Sequence, residues 1–102
     1  MGLTVALQTE EGKRLREIGD PTNELASLLP PITDRSYHLL RFIDPYGDTV
    51  FNRLKIDQSL DEWQRVCKRA TTTQQHRLVA EIEELAELCR REPHLYLKFI
   101  GD

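Results

Sequence analysis

The sequence predicts an α+β fold: a single two-layer domain with a mixed or antiparallel sheet of about four to five strands and two main helices packed on one face. Two patterns carry this prediction. Strand-like apolar runs occur near both ends of the chain, and two consecutive amphipathic helical patterns lie in its second half. The length of 102 residues, with 39% apolar and 30% charged residues, is typical of one globular unit, so we expect residues 1–102 to form one domain.

The first third of the chain predicts a strand, a turn and a short helix. Apolar and polar residues alternate over 3–8, as in a half-buried strand. The polar residues 9–12 end in Gly12 and suit a hairpin turn, after which 13–18 is a candidate returning strand with poor alternation. Thr22 or Asn23 can cap a short helix that ends before Pro30.

The middle of the chain predicts a hairpin. Residues 37–43 are aromatic and aliphatic on both faces, which favours an internal strand. Residues 44–48 contain Asp, Pro and Gly at positions that suit a tight turn. Residues 49–54 would then return as the partner strand of the hairpin.

Two helices and a last strand complete the predicted order, ββ(α)ββααβ. The first helix spans about 57–70, and Ser59 with Glu62 has the spacing of a capping box. The second helix spans about 73–91, with the same spacing at Thr72 and Gln75, and Pro93 follows its end. Residues 94–100 alternate as a C-terminal strand that needs a sheet to bury it. The apolar stripes of the two helices are Leu60, Trp63, Val66, Cys67 and Ala70, then Leu78, Val79, Ile82, Leu85, Ala86 and Cys89.

Composition narrows the classes of partner and the compartment. The formal net charge of −3 argues against a general nucleic-acid binder. No apolar stretch is long enough to cross a membrane, and residues 1–8 do not resemble a signal peptide, so we expect no membrane association and a cytoplasmic protein. Cys67 and Cys89 lie on predicted apolar stripes, which predicts reduced, packed thiols.

The sequence contains no recognisable enzyme motif. Its five glycines are scattered, and no His-Glu-x-x-His or Cys-x-x-Cys motif occurs. The three histidines are far apart, and the helical positions of the cysteines favour packing over pairing with a histidine base. We therefore predict no catalytic residue, no metal and no cofactor, and we favour a non-enzymatic protein.

The most distinctive local feature is the turn at 44–48. Asp44 and Asp48 place two carboxylates beside Tyr46, a plausible contact surface for a partner protein with a basic surface. The alternative is that these residues only stabilise the turn. In that case Asp44 accepts hydrogen bonds from backbone amides, Tyr46 folds onto the sheet and Asp48 caps the returning strand.

Three hypotheses for the function follow. The first is a protein–protein interaction or regulatory module of the immunity, antitoxin or adaptor type. It meets a basic partner either through the turn residues Asp44, Tyr46 and Asp48 or through the acidic helix face at Glu81, Glu83, Glu84 and Glu87. The second is a small-molecule-binding or small catalytic domain with a pocket between sheet and helices, where His38 and Arg41 are the candidate polar residues. The third is an obligate homodimer that pairs through its hairpin or its C-terminal strand.

Overall fold

A computed structural model describes residues 2–101, and its fold class is the predicted one. Four strands form one antiparallel sheet in the order β2-β1-β4-β3. The elements along the chain are β1 Thr4–Thr9, β2 Arg14–Ile18, α1 Glu24–Leu28, a 3₁₀ turn Leu40–Phe42, β3 Asp48–Phe51, α2 Arg53–Arg69, α3 Thr73–Arg91 and β4 Leu95–Ile100.

The C-terminal strand β4 is integral to the sheet, as predicted. It pairs with β1 on one side, with Val5 opposite Phe99, and with β3 on the other, with Thr49 opposite Phe99. The candidate returning strand at 13–18 is also present, as the edge strand β2 that pairs with β1. The extra residue of a β-bulge interrupts its register, which accounts for the poor alternation in the sequence.

The core lies between the sheet and the helices α2 and α3. Trp63 of α2 is fully buried and stacks on Phe99 of β4, with ring centroids 5.8 Å apart. Val79, Ile82 and Leu85 of α3 are buried on the same side, as their helical spacing predicted. In the part of the chain that the structure describes, no helix has the length and apolarity needed to span a membrane.

The prediction that 37–43 forms an internal strand is wrong. The segment is irregular and contains only the 3₁₀ turn, and β3 pairs with β4 instead of with this segment. Its buried residues Tyr37, Leu40 and Ile43 recur every third position, the period of a 3₁₀ helix, whereas His38 and Phe42 are exposed. Tertiary contacts of the apolar residues, rather than sheet pairing, bury this segment.

The start of the first long helix also differs from the prediction. α2 begins at Arg53 because the side chain of Asn52 caps it by accepting from the amide of Lys55 at 3.0 Å. The predicted partner strand therefore ends at Phe51, and Ser59 lies buried inside the helix without a capping role. The predicted cap of α3 is confirmed, since Thr72 Oγ1 accepts from the amide of Gln75.

The short helix α1 has a different cap from the one predicted. Asn23 is at the cap position with a left-handed backbone, φ 59°, and its side chain makes no capping hydrogen bond. Asp20 takes this role, because its carboxylate accepts from the amides of Glu24 and Leu25 at 2.9 and 2.7 Å. Pro30 and Pro31 follow Leu29, the C-terminal cap residue of α1, and prevent the helix from continuing.

Candidate functional site

An apolar groove of about 600 Å³ opens on the surface between two chain segments. One wall comes from α1 and the residues after it, Ala26 and 29–32, and the other from 41–45. Pro30 and Pro31 have no amide hydrogen to satisfy and give the first wall an apolar surface. The groove lies at the surface beside the irregular segment 37–43, for which the sequence predicted a strand.

Large apolar side chains remain exposed at this groove. Ile32 is 55% exposed and Phe42 is 51% exposed, and both line the groove. Tyr46 is 83% exposed and follows Pro45, which also lines it. An exposed apolar patch around a concave surface is typical of an interaction site, whereas single exposed apolar residues are common everywhere.

Arg41 connects the two walls of the groove. Its Nη1 donates a 2.8 Å hydrogen bond to the carbonyl oxygen of Ile32, and its guanidinium carbon lies 4.3 Å from the centre of the Phe42 ring. Its Nε is shielded from solvent and has no hydrogen-bond acceptor among residues 2–101. Sequence reasoning placed Arg41 in a pocket between sheet and helices, whereas the structure places it in this surface groove.

The turn at 44–48 is held by its own hydrogen bonds. Asp44 Oδ1 accepts from the amide of Tyr46 at 2.8 Å, and the amide of Asp44 donates to Thr49 Oγ1 at 3.0 Å. The amide of Gly101 donates to the carbonyl of Gly47 at 2.7 Å, which ties the turn to the end of β4. Asp44 thus has the structural role considered for it, but Tyr46 does not fold onto the sheet.

The three residues proposed for partner contact occupy different positions. Asp44 lines the groove, and Tyr46 lies beside it at the surface. Asp48 is on the edge strand β3, where its carboxylate is 3.4 Å from the ammonium of Lys98. Of these three residues only Asp44 lines the groove, and Asp48 is paired with Lys98 instead.

His38 is exposed and is not part of the groove lining. Its backbone amide donates to the buried carboxylate of Glu62 at 3.0 Å, and the amides of Leu39 and Leu40 donate to the same carboxylate. Sequence reasoning missed this role, because it paired Glu62 with Ser59 as a helix cap. Glu62 lies next to Trp63 and four residues before Val66, and this helical spacing is the signal that could have placed it on the buried side of α2.

One cysteine lies close to a histidine, away from the groove lining. Cys67 Sγ of α2 is 4.0 Å from His76 Nδ1 of α3. Within residues 2–101, no group of three or more His, Cys, Asp or Glu side chains is arranged to hold a metal ion. Cys89 is buried, and burial raises the pKa of its thiol to about 11.

No family model matches this chain, and no match was found among the curated proteins or the solved structures.

Proposed function

We propose that this protein is a protein–protein interaction module that docks an apolar segment of a partner protein in the groove between 29–32 and 41–45. The observation that carries the proposal is the half-exposure of Ile32 and Phe42 on the two walls of one groove. An extended segment that inserts an apolar side chain between them would remove both from water.

The residue types around the groove suit a binding hot spot. Aromatic residues and arginine dominate the binding energy of protein interfaces, and the groove combines Phe42 with Arg41 and neighbours Tyr46. Each Å² of apolar surface removed from water contributes about 25 cal/mol before the costs of association are subtracted. A small number of apolar anchors can thus support specific binding here.

The charges near the groove favour a partner segment that also carries a basic side chain. Asp44 is one of the residues that line the groove, and the whole chain has a formal net charge of −3. This net charge also attracts a basic partner at longer range, an effect that salt weakens. The groove is open to solvent, which suits a segment of a larger molecule better than a small ligand that must be enclosed.

A peptide-display selection tests the proposal. Random peptides are selected on the immobilised protein, and the enriched peptides are measured in solution by fluorescence anisotropy. The matched variants are Phe42→Ser and Ile32→Ser in the groove, and Leu54→Ser as the control, because Leu54 is 67% exposed but does not line the groove.

We expect the enriched peptides to share apolar residues and to bind Phe42→Ser and Ile32→Ser at least tenfold more weakly than the wild type. Leu54→Ser should bind them unchanged. The proposal is wrong if no apolar motif is enriched, or if the selected peptides bind both groove variants as tightly as the wild type. Sedimentation of the free protein shows whether a second copy of the chain is the occupant instead.

A further inference from the structure

We infer that Arg41 selects a segment that carries a carboxylate side chain, Asp or Glu, next to the apolar residue that enters the groove. This inference rests on the proposed function and names the chemistry of the docked segment. It follows from the terminal nitrogen of Arg41 that residues 2–101 leave without a partner.

A second arginine in the same molecule provides the comparison. Arg65 donates from Nη1 to the carbonyl of Ser36 at 2.8 Å, and its guanidinium carbon lies 3.9 Å from the centre of the Tyr37 ring. Its Nη2 also donates, to Ser36 Oγ at 2.8 Å. Arg65 therefore uses both terminal nitrogens to hold a loop on α2.

Arg41 also stacks on an aromatic ring and holds a loop carbonyl, but it uses only one of its two terminal nitrogens. Its Nη1 donates to the carbonyl of Ile32 at 2.8 Å and its guanidinium stacks on Phe42. Within residues 2–101, its Nη2 makes no hydrogen bond or ion pair, and its Nε has no acceptor. Because Nε is shielded from solvent, Nη2 is the donor that a docked segment can reach, and a carboxylate oxygen is the acceptor that a guanidinium binds most strongly.

The surroundings of this edge favour an anionic acceptor. Nη2 has no partner among residues 2–101, so an acceptor on a docked segment adds a hydrogen bond without breaking an existing one. The prolines and Phe42 give the groove apolar walls. A docked segment that covers these walls excludes water, which strengthens a charge-assisted hydrogen bond. Arg41 thus adds selectivity to a groove whose walls are mostly apolar.

Asp44 accepts no hydrogen bond from Arg41, although both residues line the groove. Residues 2–101 contain no ion pair between them within 4.0 Å, and Asp44 Oδ1 is used by the amide of Tyr46. The carboxylate of Asp44 therefore does not neutralise the Arg41 guanidinium.

The test uses two probes that differ in one group, 3-phenylpropanoate and 3-phenylpropanamide. Both are titrated into the ¹⁵N-labelled protein, and the backbone amides and the Arg41 Nε–H signal are followed by NMR. The variants are Arg41→Gln and Arg41→Lys, with Arg65→Gln as the matched control because Arg65 also stacks on an aromatic ring and holds a loop carbonyl. The display-selected peptides are tested in parallel with each Asp or Glu replaced by its amide.

We expect the acid to bind at least fivefold more tightly than the amide and to shift Arg41 Nε–H together with the amides of 41–45. Arg41→Gln should abolish this preference, Arg41→Lys should reduce it, and Arg65→Gln should retain it. If acid and amide bind the groove equally, or if neither binds there, the inference about Arg41 is wrong. Equal binding in the groove, or display peptides that bind there without needing a carboxylate, would leave the proposed docking function standing. Failure of the display selection itself would overturn the docking function.

Discussion

The carboxylate of Glu62 accepts a 2.9 Å hydrogen bond from the backbone amide of Leu40, which lies 22 residues earlier in the chain. The same carboxylate accepts from the amides of His38 and Leu39, and Glu62 is only 6% exposed. Three consecutive amides that would otherwise need water or sheet partners are thus satisfied by one side chain of α2. The contact fixes the segment that leads directly into the groove wall at Arg41 and Phe42.

Glu62→Ala should therefore lower the free energy of unfolding by about 2–4 kcal/mol, because it leaves buried amides without an acceptor. Glu62→Gln keeps one acceptor oxygen and should cost less. Urea denaturation measures both variants, with Glu81→Ala on the exposed face of α3 as a control that should change little. A loss for Glu62→Ala no larger than that of the control would show that the three hydrogen bonds do not hold the segment.

The two cysteines should differ strongly in reactivity. Cys89 is buried, its Sγ lies 3.4 Å from the carbonyl of Leu95, and burial raises its pKa to about 11. At pH 8 only about one Cys89 thiol in a thousand is then ionised, and the thiolate is the form that reacts. Iodoacetamide followed by mass spectrometry should label the partly exposed Cys67 first, and Cys89 only after unfolding. Equal labelling of both thiols in the native protein would contradict this assignment.

Trp63 should report on the packing of α2 against the sheet. Its ring is fully buried against Phe99, while its Nε1 is shielded without a hydrogen-bond partner among residues 2–101. Trp63→Ala should cost about 3–5 kcal/mol. Trp63→Phe should cost clearly less, because it keeps an aromatic ring and removes the unsatisfied donor. Chemical denaturation followed by circular dichroism compares them, and equal losses would argue against ring packing as the main contribution.

Gly101 is required by the close approach of β4's end to the turn at 44–48. A Cβ at this position would collide with the backbone of Gly47, whose carbonyl accepts the Gly101 amide at 2.7 Å. Gly101→Ala should therefore displace the turn and shift the NMR signals of Pro45 to Asp48. The matched control is Gly19→Ala, since a Cβ at Gly19 meets no atom within 4 Å. Unchanged turn signals in Gly101→Ala would show that the turn does not depend on this contact.

The elements whose apolar residues recur with a clear period could be predicted from the sequence. β1, β4 and α3 follow the apolar spacing of their residues, and the cap of α3 at Thr72 follows its local sequence. The segment 37–43 could not be predicted in this way, because Tyr37 and Leu40 are buried by contacts with a helix far along the chain. Its apolar content is the same as that of a strand, and only tertiary structure distinguishes the two.

The candidate site was predictable only in part. The turn chemistry identified Asp44, Tyr46 and Asp48, and a polar residue in an apolar stretch identified Arg41. The sequence did not indicate that Arg41 and Asp44 line one groove, because its other wall, at Pro30–Ile32, depends on where α1 packs against α3. Nor did it indicate that Lys98 offsets the charge of Asp48 across the β3–β4 pair.

The most direct test of the docking function is to map by NMR where a display-selected peptide binds. The ¹H–¹⁵N signals of the labelled protein are recorded with and without the peptide. We predict that the largest shifts fall on residues 26–32 and 41–46, with little change on the outer face of the sheet at Val50 and Tyr96. Shifts concentrated on that outer face or on α3, with the groove signals unchanged, would contradict the assignment of the groove as the docking site.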